Sequence, residues 1–441
     1  MGCSRDAASS WLCTCPPTTT TTATSTSFKL KPFFLKPVIS CSIKGPSDST
    51  SSSSAASSYS PHRIRKFGRR LPDIVRHWVQ ADSLIPSDDK AYATERFMVV
   101  PYNVLGDRNA SKHKDLYRNV PSLYMNWDRR KRIICEELIG WNPDIICLQE
   151  VDRYFDLLNI MQKAGYIGSF KRRTGDSIDG CAMLWKADKF RLLECESIEF
   201  KRYNLRDNVA QHSVFEMCSA ESRRLLFGNI HVLYNPSRGD VKLGQIRTLS
   251  SKAHILSKKW GNVPVILAGD YNSSPQSAIY EFLSSSQLNI MLHDRKESSG
   301  QRSCNPAQVF GIERETRNPL HLMDRIFKSG WTDEEVKVAT GRAKSEVVMH
   351  PLTLNSSYAT LKGSTRTRGF KSEPLATSFH AKFFGTVDYL WYSDGLLPTR
   401  VLDTLPIDVL QKTGGLPCQK LGSDHLALVS EFAFVPTEKT L

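Results

Sequence analysis

From about residue 96 to the end, apolar and polar positions along this chain alternate between short runs and helical stripes. FMVVPYNVL, residues 97–105, is an apolar run that opens into polar residues, the pattern of a buried strand followed by a loop. In NWDRRKRIICEELIGWNPD, residues 126–144, Trp127, Ile134, Leu138 and Trp141 recur at helical spacing, and Asn142-Pro143 closes the helix. DIICLQEVD, residues 144–152, is a continuous apolar strand ending on a carboxylate. RLLFGNIHVLYNP, residues 224–236, is another strand, ending in polar residues and a proline. Ile246, Leu249, Ala253, Leu256 and Trp260 then step by threes and fours along a second helix. PVILAGDYNSSP (264–275), FFGTVDYLWYS (383–393) and GSDHLALVSEFAF (422–434) complete the apolar segments. Residues 295–375 are polar, irregular and basic without a clear period, and are expected to form an insertion or a set of long surface loops. No internal repeat is visible, and in particular no leucine-rich array.

Composition changes the picture mainly at the beginning. Residues 1–95 are expected to form a disordered segment, Ser/Thr-rich first and basic later. Up to residue 60 it holds stretches such as TTTTTATSTS and only two acids, Asp6 and Asp48. An acid-poor, hydroxyl-rich start resembles an organellar transit peptide, with VISCSIKG as a processing region. The opening MGCS is not a myristoylation site, because position 6 is Asp. The 441 residues, 40% hydrophobic, suffice for a large core. A net charge of +14 points to a polyanionic partner, nucleic acid first, although PHRIRKFGRRLPDIVRHW (61–78) carries part of the excess. Eleven scattered cysteines without a C-x-x-C suggest a reduced, intracellular protein with no zinc cluster. No apolar stretch approaches the roughly 18–20 residues of a membrane span, so no membrane partner is expected.

The candidate chemistry lies where apolar segments meet polar ends. Asn103, Glu150, His231, Asp270 with Asn272, Asp388, and Asp424 with His425 all occupy such positions. One acid at a strand end is ordinarily a turn or cap residue; six segments using the same device indicate a shared site. Carboxylate and amide oxygens suit a hard cation such as Mg²⁺, with Mn²⁺ as a substitute, which fills its shell with water and substrate phosphate. Histidines backed by carboxylates can hold a proton or positive charge against phosphate, and an Asp–Asn pair can aim a water. No Ser–His or Cys–His nucleophile stands out. The inventory fits metal-assisted phosphoryl chemistry.

YNVLGD, DIICLQEVD, HVLYNP, GDYNSSP, TVDYLW and SDHLAL, in this order, resemble the exonuclease–endonuclease–phosphatase superfamily. NWDRRKRIICEEL, KRRTGDSIDGCAMLWK, RDNV and RGDVKLGQ add a resemblance to the deadenylases typified by carbon catabolite repressor protein four, on the side of the angel and nocturnin relatives. The resemblance spans residues 96–436 and implies a catalytic domain with the α/β fold of a four-layer sandwich, two packed β-sheets flanked by helices. It implies that Glu150 is the principal Mg²⁺ ligand, with Asn103 and Asp424 at the metal site. Asp270 would activate water with Asn272 as its helper. His231 and His425 would bind the scissile phosphate, with Asp388 orienting His425. Pro236 and Phe383 would hold the terminal adenine, and Asn208 of RDNV would contact substrate. The implied activity is a 3′-to-5′ exoribonuclease that shortens poly(A) tails in cytoplasm or nucleus, or in a plastid or mitochondrion if the transit-like start is used. The resemblance implies RNA, in particular poly(A) 3′ ends, and deadenylase-complex subunits as partners, the latter without a leucine-rich-repeat docking surface. Tyr-Asn precedes the proline of HVLYNP where Trp-Asp is usual, and Ser378 replaces a common Asn. Both changes lie where a base or sugar would rest, and they admit an RNA 2′,3′-cyclic phosphate or a dinucleotide phosphate as the alternative substrate.

Overall fold

The computed structural model describes residues 12–13, 74–81, 95–311 and 330–435. All of these belong to one compact unit. Apart from residues 12–13, the Ser/Thr-rich start and its transit-peptide reading lie outside them.

Two β-sheets carry the molecule. The first has eight strands in the spatial order β1 (Leu12–Cys13), β5 (Tyr166–Arg172), β6 (Gly180–Lys186), β4 (Ile145–Val151), β3 (Arg96–Asn103), β18 (Val429–Phe434), β17 (Leu396–Leu402) and β2 (Trp78–Gln80). The second has six: β13 (Asn355–Ser356), β16 (Asp388–Tyr392), β10 (Val265–Asp270), β9 (Ala220–His231), β8 (Val209–Met217) and β7 (Phe190–Glu199). Two small ribbons pair β11 (Gln287–Asn289) with β12 (Val347–Met349), and β14 (Ser378–His380) with β15 (Phe383–Gly385).

The period-two alternation of strand residues sorts the core into layers. Phe97, Val99, Ile145 and Cys147 of the first sheet meet Phe215, Phe227, Ile266 and Ala268 of the second, filling the space between them. The alternate residues Val100, Tyr102, Ile146 and Leu148 pack outward against helix Trp127–Trp141 and helix Tyr154–Met161. On the other side, Leu226, Ile230, Val265 and Leu267 pack against helix Gly239–Lys259. The result is the expected four-layer α/β sandwich. Helix Trp127–Trp141 has the boundaries its pattern indicates. The Asn126 side chain accepts from Arg129 N–H, and Asn142 closes it in the left-handed conformation just before Pro143. Among the described residues, no helix is long and apolar enough to cross a membrane.

Two expected boundaries change. The first sheet reaches upstream of residue 96, because β2 pairs with Arg400–Leu402 and the Arg76 guanidinium binds the carbonyls of Leu402 and Asp403. The stretch 295–375 is only partly irregular. It holds helix Asp333–Thr340, capped by Thr332 and Glu335 in a capping box, and contributes β13 to the edge of the second sheet. Val336 and Ala339 of that helix join the core around helix Gly239–Lys259. Its elements are too short for periodicity to reveal them.

Glu373 anchors the end of this stretch. It is buried and accepts a 2.8 Å hydrogen bond from the Tyr280 hydroxyl, on the helix that follows GDYNSSP. Burial pushes its carboxyl up from 4.5 to about 7, against the opposing pull of nearby hydrogen bonds and cations. The linked stability is full below 4.5, where both states are protonated, and is lost as pH rises to about 7. Glu373→Gln keeps an acceptor and removes the ionisation. It is expected to raise thermal stability at pH 8, by up to about 2–3 kcal/mol, and to leave it unchanged at pH 4.5, measured by calorimetry at both pH values.

Candidate active site

The two sheets present the same kind of end to one cleft. Parallel pairs β3–β4 and β9–β10 finish there, carrying Asn103, Glu150, His231 and Asp270 on their carboxyl ends. Asp388 and the Asp424–His425 pair arrive differently from the expectation. Asp388 opens β16, antiparallel to β10 and in register with Asp270, while Asp424 and His425 lie in the loop before β18. An antiparallel strand begins where its neighbour ends, so both routes reach the same rim.

Local backbone sets the aim of these groups. Glu150 has φ 57° at the irregularity of β4 between Leu148 and Val151, a left-handed conformation that turns the carboxylate out of the strand alternation. Its Oε2 accepts from Gly106 N–H (3.2 Å) and Asn109 Nδ2 (3.1 Å). Gly269, at φ 144°, lies so close to β9 that a Cβ there would sit 2.0 Å from the Ile230 carbonyl oxygen. A larger residue would push apart the strands that deliver His231 and Asp270.

Asp270 is the hub. Its Oδ1 accepts from Asn272 N–H at 2.8 Å, and its Oδ2 accepts from Asn103 Nδ2 at 3.1 Å. His231 Nε2 lies 3.4 Å and His425 Nε2 3.9 Å from that Oδ2. On its far side His425 holds Asp388 Oδ2 through Nδ1 at 2.8 Å. Burial, then the adjacent Asp388 charge, push the Asp270 carboxyl up to about 7. The two histidines go opposite ways. Burial would lower His425, but Asp388, Asp424 and Asp270 override it and hold the ring well above the ordinary range. Burial and the charge of Arg173 hold His231 well below it. Arg173 Nη2 is 3.2 Å from His231 Nδ1, and arginine only donates, so the His231 proton sits on Nε2, toward Asp270. A protonated and a neutral imidazole thus flank one carboxylate.

The cleft has a volume of about 450 Å³. Glu150, His231, Asp270, Asn272, Phe383, Asp424 and His425 line it. Asn103 and Asp388 are buried behind this lining. The Asn103 oxygen accepts from Leu105 N–H while its nitrogen bridges Glu150 and Asp270, so it positions carboxylates instead of offering a ligand oxygen. Asn208, expected to touch substrate, does not reach the cleft. Its amide is spent on the His231 carbonyl (2.7 Å) and Gln245 (3.1 Å), which makes it a support for His231. Pro236 is also absent from the lining, where Tyr234 stands instead. Sequence reasoning missed Arg173, Tyr117, Gln301 and His380. None ends a long apolar run (His380 closes a strand of three residues, Ser378–His380), so the signal that found the others passes over them.

Glu150 and Asp424 both face the cleft, and among the described residues neither is ion-paired with a lysine or arginine. The Tyr117 hydroxyl donates to Asp424 Oδ2 at 2.9 Å, and burial, then the charges of Asp424 and Glu150, push its ionisation well above the ordinary tyrosine range. Two hard-oxygen donors with no lysine or arginine in contact among the described residues fit a divalent cation. Atoms of Asp270, Asp388 and His425 also lie within 4.8 Å of one another, but the His425–Asp388 hydrogen bond already occupies two of those three groups.

A two-sheet α/β sandwich with acids and histidines converging on one cleft is the architecture of a hydrolase. The sequence profile of the Endonuclease/Exonuclease/phosphatase family matches residues 102–425, and this chain belongs to that family. Its enzymes are generally dependent on a divalent metal. The chain is 59% identical over 405 residues to carbon catabolite repressor protein 4 homolog 3 of Arabidopsis thaliana, covering 90% of this chain and 89% of the relative. It is 46% identical to homolog 5 of the same plant, covering 83% of this chain and 84% of the relative. Among solved structures, it resembles ANGEL2, a 2′,3′-cyclic phosphatase, in complex with adenosine-2′,3′-vanadate, at TM-score 0.65 and 27% identity, covering 82% of this chain and 99% of that one.

With Asp270 as the base, the rate rises with pH as its carboxyl ionises, so kcat/KM is expected to climb with a midpoint of about 7 and to fall only where His425 loses its proton, well above the ordinary histidine range. Asp388→Asn removes the charge that keeps His425 protonated. It should lower kcat by about 10²–10⁴ with little change in KM, which a pH series of steady-state kinetics on both proteins checks.

Proposed function

We propose that this chain is a divalent-metal-dependent phosphodiesterase of RNA 3′ ends, shortening poly(A) tails from the 3′ end and releasing 5′-AMP. The observation that carries this reading is the Asp270 carboxylate flanked by one charged and one neutral histidine, beside Glu150 and Asp424, which line the same cleft. A cleft of about 450 Å³ suits one terminal nucleotide, and Arg173, Lys112 and Lys382 on its walls suit a polyanion. In the proposed step Asp270 takes a proton from the attacking water, and the water oxygen bonds to phosphorus. The bond from phosphorus to the 3′ oxygen of the preceding nucleotide breaks, and that oxygen takes a proton from solvent to become the new 3′ hydroxyl end. His425 and the Nε2–H of His231 donate to the phosphate oxygens as charge builds on them. A divalent cation at Glu150 and Asp424, Mg²⁺ in this reading, supplies further neutralisation of that charge when bound. Asn272 shapes the turn that presents Asp270; its Nδ2 is held by the Val232 carbonyl at 2.9 Å. mRNA turnover in cytoplasm or nucleus follows from this substrate, and an organelle if the Ser/Thr-rich start is a transit peptide.

A second reading keeps the site and changes the end: removal of an RNA 2′,3′-cyclic phosphate. The likeness to ANGEL2 favours it, as do Tyr234 and Ser378, which line the cleft and stand where the family resemblance puts a base or sugar. Two labelled RNAs of one body separate the readings, one ending in about twenty adenosines and the other in a 2′,3′-cyclic phosphate. Full-length protein with Mg²⁺ is expected to produce a ladder of shortened tails, and Glu150→Gln to abolish it. An intact tail with loss of the cyclic phosphate selects the second reading. Loss of neither overturns both.

A further inference from the structure

The hairpin β14–β15 carries a histidine that this chemistry leaves unused. His380 ends β14 and faces Phe383, the first residue of β15, across the turn Ala381–Lys382. Backbone hydrogen bonds fix the hairpin to the site: Phe379 N–H to the Asp424 carbonyl (3.0 Å) and Ala381 N–H to the Leu116 carbonyl (2.9 Å). The His380 ring is buried and lines the cleft. Its centroid is 6.3 Å from the ring of Tyr117, whose hydroxyl binds Asp424, and 6.0 Å from the ring of Phe383. His380 therefore stands between the acidic, phosphate-facing end of the cleft and its aromatic wall. In a nucleotide, the group between phosphate and base is the sugar.

The position of the ring proton follows from the hydrogen bonds. Lys382 N–H donates to Nδ1 at 3.3 Å, so the proton of the neutral ring sits on Nε2. Burial holds the ring below the ordinary histidine range, His425 and Lys382 acting in the same direction and Asp424 and Glu150 against it. Among the described residues no protein group accepts from Nε2. A neutral donor at the level of the sugar matches a ribose hydroxyl, the group that distinguishes RNA from DNA.

We propose that His380 hydrogen-bonds the ribose 2′ oxygen of the terminal nucleotide and is the residue by which this enzyme prefers RNA ends to DNA ends. The assignment rests on the RNA 3′-end reading above. Its test uses full-length protein with Mg²⁺ and two labelled oligonucleotides of identical body, one ending in adenosine and the other in 2′-deoxyadenosine. The wild type is expected to remove the ribo end about tenfold faster, the worth of one hydrogen bond to a neutral group. His380→Ala should bring the ratio close to one by slowing the ribo end alone, and His380→Gln, which keeps a donor, should restore part of it. The unchanged rate on the deoxy end reports an intact fold. A wild type that cuts both ends equally, or a His380→Ala variant that slows both alike, overturns the assignment and leaves the hydrolase reading standing. A wild type that cuts neither end, and removes no cyclic phosphate, overturns both.

Discussion

A buried carboxylate in the company of another is the constraint around which this molecule is arranged. Asp270 and Asp388 face each other across adjacent antiparallel strands, both almost inaccessible to water. Two like charges so placed cannot both remain ionised without a cation between or beside them. His425 supplies it, bonded to Asp388 at 2.8 Å and set 3.9 Å from Asp270. His231 remains neutral on the other flank because it is buried and because Arg173, itself paired with Asp179 at 2.8 Å, already brings positive charge to that side. The site thereby holds a base of raised proton affinity between a charged donor and a neutral one.

The fold makes that arrangement rigid. His231, Asp270 and Asp388 come from three neighbouring strands in register, so their spacing is that of the sheet itself. Asn103, on the other sheet, bonds Glu150 of the neighbouring strand and reaches across to Asp270, tying the two halves of the sandwich at the cleft. Beneath Asp270 lies a second buried layer: Lys242 donates to the Asn272 carbonyl at 2.7 Å, and Gln301 donates to the Asn272 side chain at 3.1 Å. Asn272 is held there at φ 48°, and Tyr271 between them is fully buried. The stretch GDYNSSP is thus a strand end whose turn is fastened from below by a helix and by the segment after residue 294.

Much of this was legible in the amino-acid order, for a physical reason. Strands buried on both faces are continuous apolar runs, and a polar residue at the end of such a run stands out. That signal located Glu150, His231 and Asp270 and put them on one rim. It misread Asp388 and His425 as the ends of strands when one begins a strand and the other precedes one, because an apolar run does not reveal its direction relative to its neighbours. The family resemblance, and not this pattern, put Asn208 and Pro236 at the substrate; Asn208 instead holds the His231 carbonyl, and Pro236 is absent from the cleft lining. Arg173 and Tyr117 act through partners distant in sequence, His231 and Asp424, and no local pattern encodes such pairs. Helix Asp333–Thr340 was readable from its capping box, Thr332 with Glu335, but its surroundings are too polar for a periodic stripe.

The opposite protonation of the two histidines about Asp270 is the central claim, and nitrogen-15 NMR of the imidazole rings tests it most directly. At pH 6.5, the ordinary histidine midpoint, His425 should be doubly protonated and His231 neutral with its proton on Nε2. Both rings titrating together near that midpoint would contradict the account.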